Sequence, residues 1–222
     1  MEQQTRFSVA LFDIDGTLLD SAALWEDVPE RYMAQRGIAV EEQIDGIISK
    51  MGFSRSARYL QERYIPNEDP HAVMDAFCAI AAEKYRNGVK EKPAAVAYLN
   101  HLCEKGVPCA AVTSNMRDIV LPALEKLHML ESLDSVTSIY DIGMDKHSPK
   151  LFQFMAEKLG VAAEACVVFE DTLFAAESAK RAGMCVIGVY DRCADALWNQ
   201  LCETADRSIF SYEELIEQDV FA

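Results

Sequence analysis

A short apolar run, Val9 to Phe12, leads directly into two aspartates, Asp13 and Asp15. The run does not alternate with polar residues, which is typical of a strand covered on both faces within a parallel α/β sheet. Side chains two positions apart on an extended chain point the same way, so both carboxylates should face one pocket. Because open α/β sheets bind ligands at the carboxyl ends of their strands, we expect that pocket to be a ligand site.

Gly16 and Thr17 follow the two aspartates. Glycine lets the chain bend sharply and lets backbone approach a ligand closely, and the threonine adds a hydroxyl and an N–H group. A plain turn is the alternative, since aspartate and glycine are turn residues. A turn, however, does not need two aspartates at this spacing behind a buried strand. The segment from Phe7 to Asp20 therefore predicts a phosphoryl-transfer site.

Length and charge limit the kinds of partner. The chain has 222 residues, 50% of them hydrophobic, which suffices for a full core. Its formal net charge of −15 argues against nucleic acid and against an anionic membrane, both of which attract basic surfaces. A small phosphorylated substrate stays compatible, because a local site can still be cationic. No obligate protein partner is implied.

Cysteine usage and hydropathy bear on the compartment. The seven cysteines are odd in number, scattered and without a CxxC pair, which favours reduced thiols over a disulfide framework or a zinc site. The amino terminus shows no basic stretch followed by a long apolar one, and no apolar segment approaches the length of a membrane span. We therefore expect a soluble, cytoplasmic protein.

The segment of residues 21–91 is helical in period and rich in charge. No convincing strand is predicted there. Helices are predicted over four ranges: Leu24 to Arg36, Glu41 to Lys50, Ser54 to Tyr64 and Pro70 to Arg86. The segment therefore predicts a helical module inserted between the first strand and the rest of the chain.

From Pro93 onward, strands and helices alternate. Strands are predicted at Cys109 to Thr113, Ser135 to Ser138, Cys166 to Phe169 and Cys185 to Val189. Helices are predicted at Ala94 to Lys105, Met116 to Leu127, Pro149 to Leu159 and Leu173 to Ala182. This alternation predicts a Rossmann-like, doubly wound parallel α/β sheet, which the opening strand must join. Residues 1–20 and 92–222 would then form the core, and residues 21–91 a small inserted α-helical domain.

Thr113, Ser114 and Asn115 end the second strand of the predicted core, just ahead of a helix. They offer hydroxyl groups, free backbone N–H groups and the positive end of the helix, which together outline a phosphate-binding site. Ordinary N-capping of the helix by Ser114 or Asn115 explains these residues equally well when they are taken alone.

Two further sets of charged residues lie where a predicted strand or loop meets a predicted helix. Lys146 precedes Ser148, a candidate N-cap, and Pro149, a candidate first helical residue, so we expect it beside a helix start. A lone lysine is usually a solvated surface charge, which is the alternative. Glu170 and Asp171 end another apolar strand, and capping of the following helix would need only one of these acids.

Together, these groups resemble the motifs of the haloacid dehalogenase superfamily of phosphatases, over nearly the whole chain. The first motif, DxDGT, corresponds to Asp13 to Thr17, and the second, a Thr or Ser that ends a strand, to Thr113. The third, a lysine ahead of a proline, corresponds to Lys146, and the fourth, an acidic pair, to Glu170 and Asp171. The helical insert resembles the cap of the subfamily that includes β-phosphoglucomutase and phosphoglycolate phosphatase.

The resemblance implies a role for each group. Asp13 would attack phosphorus and form a transient aspartyl phosphate, and Asp15 would act as general acid and then as base. Lys146 would neutralise the nucleophile, and Thr113 with the neighbouring amides would hold the transferring group. The implied substrate-binding residues are Gly16, Thr17, Thr113, Ser114, Asn115 and Arg55.

A site of this kind requires a cation. Like charges about 4 Å apart cost roughly 4 kcal/mol at an effective dielectric constant near 20, so carboxylates alone would exclude an anionic ester. Oxygen ligands favour Mg²⁺ as the cofactor. The resemblance implies that the ion binds the carboxylates of Asp13 and Asp171 and the backbone carbonyl of Asp15, with Glu170 as a support.

Substrate choice would depend on the inserted domain. Arg55 resembles an arginine that meets a distal phosphate in β-phosphoglucomutase, and a plain surface arginine is an equally good interpretation. Trp25 occupies the position where the mutase has a histidine, and this difference favours hydrolysis. Dehalogenases of the superfamily do not need the second aspartate, so the presence of Asp15 argues against dehalogenation. We predict a Mg²⁺-dependent phosphatase of small phosphorylated metabolites, sugar phosphates first. A mutase of the β-phosphoglucomutase type and a noncatalytic phospholigand-binding protein are the alternatives.

Overall fold

A parallel sheet is the framework of the chain in the computed structural model, which describes residues 7–25, 27–39, 53–218 and 220–221. The described strands are β1 (Val9–Phe12), β2 (Leu19–Asp20), β3 (Lys90–Glu91), β4 (Cys109–Thr113), β5 (Ser135–Ser138), β6 (Cys166–Glu170), β7 (Cys185–Val189) and β8 (Arg207–Ile209). Six of them form one parallel sheet in the order β5-β4-β1-β6-β7-β8, and β2 pairs antiparallel with β3. The predicted α/β fold class is confirmed.

Strand β1 lies in the middle of this sheet. Leu11 pairs with Ala110 of β4 on one side and with Val168 of β6 on the other. All four residues of β1 are buried, which is why the strand carries an unbroken apolar run. Because the three strands are parallel, their carboxyl ends lie at one edge of the sheet. That edge receives the polar residues that follow each strand.

Helices pack against the sheet and make up the inserted segment. The described α-helices are α1 (Val28–Gln35), α2 (Phe53–Tyr64), α3 (Pro70–Gly88), α4 (Ala95–Glu104), α5 (Arg117–Lys126), α6 (Ile139–Ile142), α7 (Pro149–Lys158), α8 (Leu173–Arg181), α9 (Trp198–Thr204) and α10 (Glu213–Glu217). As predicted, the Ser148 hydroxyl caps α7 by accepting from the Lys150 N–H, and Pro149 occupies the first turn. Within the described ranges, no helix combines the length and apolar character that a membrane crossing requires.

The structure corrects two expectations for the inserted segment. The sequence predicts one helix over Leu24 to Arg36, but the structure has a 3₁₀-helix, Ala22–Trp25, and then α1. Pro29 lies in the first turn of α1, the one part of a helix where proline is well tolerated, and it therefore marks the start of a separate helix. Lys90 and Glu91, expected in a segment without strands, form β3. The helix predicted over Glu41 to Lys50 lies outside the described residues.

The chain divides into two compact units, Met1–Asp20 with Lys90–Ala222, and Ser21–Val89. The six-stranded sheet belongs to the first unit. Strand β2 ends where the second unit begins, and β3 begins where it ends. Leu19 pairs with Glu91, so this short antiparallel ladder holds together the two ends of the insertion.

The second unit is built from helices and has its own aromatic contacts. The Tyr32 ring of α1 meets Phe77 of α3 edge to face, with 5.1 Å between ring centroids. The indole N–H of Trp25 donates to the Tyr85 hydroxyl at 2.8 Å. These contacts join the start of the unit to its longest described helix, so Trp25 has a packing role within this unit.

Ala94 precedes α4 with a left-handed backbone, at φ 60° and ψ 21°. A Cβ in this region costs about 1–2 kcal/mol, and glycine avoids the cost. We expect Ala94→Gly to raise the free energy of unfolding by about 0.5–1 kcal/mol, because the greater freedom of glycine in the unfolded chain offsets part of the gain. Urea unfolding followed by circular dichroism measures this change. In the control Ala162→Gly, where φ is −73°, stability should fall, and a fall in Ala94→Gly as well would contradict the argument.

Candidate active site

Three buried carboxylates, those of Asp13, Glu170 and Asp171, meet where β1 and β6 end. The backbone N–H of Asp13 donates to the carbonyl of Phe169 at 2.9 Å, which extends the pairing of the two strands. One oxygen of each carboxylate lies within 4.8 Å of the others. The three residues are only 6%, 1% and 5% exposed, so their charges interact largely without screening by water.

Lys146 lies between two of these carboxylates. Its ammonium donates to Oδ1 of Asp13 and, at 2.8 Å, to Oε2 of Glu170. The residue is 2% exposed, so the interpretation of Lys146 as a solvated surface lysine is wrong. It is carried by the loop between α6 and α7, where the Ser148 N–H donates to the carbonyl of Asp145 at 3.0 Å. The loop therefore brings a fixed positive charge to the carboxylates.

Burial shifts the pKa values of this cluster. Burial raises the pKa of Asp13 to about 7; the charge of Lys146 opposes the shift, and the charges of Glu170 and Asp15 add to it. Burial also raises the pKa of Asp171 well above its usual range, helped by the charges of Glu170 and Asp13. Burial alone would lower the pKa of Lys146, but the two carboxylates that it contacts raise it above its usual range. The lysine is therefore protonated.

The donor set of the cluster fits a divalent cation. With all three carboxylates ionised, they and the Lys146 ammonium would leave a formal excess of two negative charges in a buried site. All three acidic side chains offer oxygen atoms, which are the ligands that Mg²⁺ and Ca²⁺ prefer. A bound cation would favour the ionised carboxylates, against the upward pKa shifts that burial produces. The cluster could therefore hold a metal ion.

The loop after β1 is folded tightly against Asp171. Gly16 has φ +86°, and a Cβ atom at this position would lie 2.4 Å from Oδ2 of Asp171. The hydroxyl of Thr17 donates to Oδ1 of the same carboxylate at 3.1 Å. Thr17 is fully buried, so its hydroxyl serves the carboxylate cluster in this structure. The glycine permits the close approach, and the threonine holds the carboxylate in place.

The residues at the end of β4 differ in burial and in the hydrogen bonds that they make. Thr113 is buried and its hydroxyl accepts from the Asn115 N–H at 2.9 Å, whereas Ser114 is exposed. The side-chain amide of Asn115 donates to Oδ2 of Asp15 at 3.2 Å. The helix α5 begins beyond them, with Met116 at the N-cap position and no side-chain cap. The N-cap is therefore neither Ser114 nor Asn115, and Oδ1 of Asn115, one position ahead of the cap, accepts instead from the N–H of Met116 at 2.8 Å.

Two contacts of the site were not foreseen from the sequence. The first is the contact between Asn115 and Asp15, which joins residues that are far apart in the chain. The second is that Thr172 donates its hydroxyl to Oε1 of Glu170 at 2.8 Å and its N–H to the same oxygen at 3.2 Å. A hydroxyl residue directly after the acidic pair was the available signal for this contact. Because Thr172 binds only Oε1 of Glu170, Oε2 accepts the hydrogen bond from Lys146.

Arg55 is the one predicted site residue whose side chain lies outside the part of the chain that the structure describes. Its backbone belongs to α2, in the unit Ser21–Val89. The other predicted residues lie in or directly after β1, β4 and β6 or in the loop that carries Lys146. The structure thus gathers the four groups of the first unit at one edge of the sheet.

Comparison with known proteins gives consistent matches. A family model described as haloacid dehalogenase-like hydrolase matches residues 10–189. Validoxylamine A 7'-phosphate phosphatase of Streptomyces hygroscopicus subsp. limoneus is 30% identical over 189 residues, which cover 82% of this chain and 85% of that protein. Hexitol phosphatase A of Escherichia coli K12 is 30% identical over 179 residues, which cover 81% of each.

A solved structure has the same fold. The crystal structure of a hydrolase of the same family from Deinococcus radiodurans R1, with bound phosphate and sodium, covers 99% of both chains. Its TM-score is 0.72 and its sequence identity is 25%. The similarity therefore extends over both units of the present chain.

Proposed function

Since the chain belongs to the haloacid dehalogenase-like hydrolase family and is a phosphatase, we propose that it hydrolyses small phosphorylated metabolites, sugar phosphates first, through an aspartyl phosphate and with Mg²⁺. The family predicted from the four motifs is confirmed. The observation that carries the proposal is the buried cluster of Asp13, Glu170 and Asp171 around Lys146, at the carboxyl edge of the sheet. The names of the two similar phosphatases, which refer to phosphorylated carbohydrate-like compounds, support the substrate class.

In the first step, an Asp13 carboxylate oxygen forms a bond to phosphorus while the bond from phosphorus to the ester oxygen breaks. Asp15 gives its proton to the departing alkoxide, so the alcohol leaves neutral. The amide of Asn115 donates to Asp15 and holds this carboxyl group in one orientation. In the second step, Asp15 takes a proton from water, whose oxygen attacks phosphorus, and the bond to Asp13 breaks to release inorganic phosphate.

Lys146 serves both steps. Its ammonium contacts the nucleophile, so it favours the ionised form of Asp13 that must attack. The same positive charge offsets the negative charge that the phosphoryl group brings into a site already rich in carboxylates. Thr113 and the backbone amides that follow it are the proposed holders of the transferring oxygens, since Asn115 of the same turn contacts Asp15 through its side-chain amide.

The metal would bind the carboxylates of Asp13 and Asp171 and the backbone carbonyl of Asp15, with Glu170 beside them. When bound, Mg²⁺ supplies positive charge that lets carboxylates and a phosphate ester share one buried site. The oxygen-only donor set and its excess negative charge support this choice of ion.

The domain arrangement is a further part of the proposal. Residues 1–20 and 92–222 form the catalytic core, and residues 21–91 form the domain that selects the leaving group. Arg55 is proposed to contribute to that selection. The α-helical build of the unit Ser21–Val89 is compatible with this role.

Release of inorganic phosphate from a panel of phosphate esters tests the function. We expect turnover of sugar phosphates in Mg²⁺, loss of at least about 10²-fold in rate after treatment with a chelator, and recovery when Mg²⁺ is restored. The reason is that the carboxylate cluster repels an anionic ester unless a cation is present. A panel without any turnover would contradict the function, and turnover that survives chelation would contradict the metal.

A further inference from the structure

Tyr212 reaches the active-site loop from the far end of the chain. Its hydroxyl donates to the backbone carbonyl of Thr17 at 3.2 Å, across 195 positions in sequence. Both residues are fully buried. Burial raises the pKa of the Tyr212 phenol well above its usual range, so the hydroxyl keeps the proton that it donates.

The Tyr212 ring belongs to an aromatic cluster beneath the carboxylates. It stacks on Tyr98 at 5.4 Å between centroids and tilts against Phe169 at 5.9 Å and Phe12 at 6.3 Å. Phe12 and Phe169 stack on each other at 4.3 Å, and each immediately precedes an acidic residue of the site. The ring therefore packs against the same two strand ends that carry the carboxylates.

The backbone around Tyr212 is fixed as well. Its N–H donates to the carbonyl of Pro93 at 3.0 Å. Oε1 of Glu214 accepts from the N–H groups of Phe210 and Ser211, at 2.8 and 3.1 Å, which closes the turn ahead of α10. The tyrosine is thus held at both its backbone and its ring, and its hydroxyl has a defined position.

Backbone groups of the loop that receives this hydrogen bond pair with one another, and the carbonyl of Leu18 also accepts from the Lys92 N–H at 2.9 Å. The carbonyl of Ile14 accepts from the N–H groups of Leu18 and Leu19, and the N–H of Gly16 donates to the carbonyl of Leu19. The carbonyl of Thr17 is bound from outside the loop, by Tyr212. The side chain of Thr17 in turn donates to Asp171.

We propose that Tyr212 is a positioning residue: it fixes Thr17, and through the Thr17 hydroxyl it holds the Asp171 carboxylate where a metal ion would bind. This inference rests on the proposed metal-dependent function. It makes the carboxyl-terminal segment from Phe210 to Glu217, which contains no residue of the four motifs, part of the active-site framework.

Tyr98 provides a matched control for the test. It is fully buried in the same aromatic cluster, but within the described residues its hydroxyl has no hydrogen-bond partner. Tyr98→Phe and Tyr212→Phe therefore remove the same atom from neighbouring rings and leave the packing of both rings in place. Only the second substitution breaks the connection to Thr17.

Calorimetric titration of each folded variant with Mg²⁺, without substrate, measures the effect directly. We expect Tyr212→Phe to weaken Mg²⁺ binding about tenfold, which is the size of effect typical of groups that orient metal ligands, and Tyr98→Phe to leave binding unchanged. In a Thr17→Val background, which lacks the hydroxyl on Asp171, Tyr212→Phe should have no further effect on binding.

Three outcomes overturn the inference. Equal Mg²⁺ affinity in Tyr212→Phe and wild type is the first, and an equal loss in Tyr98→Phe, which would indicate a general packing effect, is the second. The third is a Tyr212→Phe effect that is fully additive with Thr17→Val, because independent sites add and coupled ones do not. Failure of the wild-type protein to bind Mg²⁺ overturns the proposed metal site itself, so the two failures are distinguishable.

Discussion

Asp13→Asn is expected to lower kcat by at least about 10⁴-fold, because the carboxamide has nearly the shape of the carboxylate but cannot attack phosphorus. The fold should be retained, since Glu170 still accepts a hydrogen bond from Lys146. Phosphate release from the best sugar phosphate of the panel, measured at saturating substrate and Mg²⁺, gives the comparison.

Asp20→Asn is the matched control for this substitution. Asp20 is exposed at the end of β2, seven positions further along the same segment. The kcat of Asp20→Asn should stay within about twofold of the wild-type value, which is about 0.4 kcal/mol in activation free energy, because the exposed Asp20 side chain is outside the carboxylate cluster. Turnover by Asp13→Asn within tenfold of wild type would rule out Asp13 as the nucleophile.

Gly16→Ala is expected to lower kcat/KM by about 10²-fold or more, since a displacement of about 1 Å in a catalytic group can cost that much. The added Cβ would lie 2.4 Å from Oδ2 and 2.7 Å from Cγ of Asp171. Either the loop or the carboxylate must move, and the proposed metal site moves with them. The same phosphate-release assay, with substrate and Mg²⁺ varied in turn, measures the loss.

Gly106→Ala separates this collision from backbone strain. Gly106 lies between α4 and β4, outside the loops that carry the site residues; it has φ +70°, in the same left-handed region, but a Cβ there would meet no atom within 4 Å. The control should therefore lose about 1–2 kcal/mol of stability without a comparable loss of kcat/KM. If both alanine variants lost activity equally, strain or partial unfolding would explain the result, and the contact with Asp171 would not.

The sequence was sufficient to predict the strands that carry the site. The unbroken apolar run of β1 predicted a central parallel strand, and the bounds predicted for β4, β5 and β7 agree with the structure. Local patterns succeed here because burial on both faces demands an apolar residue at each position. The polar residues after each run then fall at one edge, since parallel strands share their direction.

The contacts between these strand ends could not be predicted in the same way. The hydrogen bond from Asn115 to Asp15 spans 100 positions, and no local pattern specifies it. Strand β8 has only three residues, Arg207–Ile209, and lacks the apolar run that revealed the other strands. The helix expected from Leu24 to Arg36 begins only at Val28, because the hydrophobic period does not reveal the break between Trp25 and Val28.

The attachment of Asp13 to the sheet links its proposed catalytic role to cooperative folding. Its amide is bonded to the carbonyl of Phe169, directly after the last residue of β1, a strand with partners on both sides. Amides of such core strands exchange hydrogen with solvent through openings close to global unfolding. Fraying at the chain ends or in surface loops therefore leaves Asp13, the proposed nucleophile, in place. Inactivation by denaturant should accordingly coincide with the melting of the central strands.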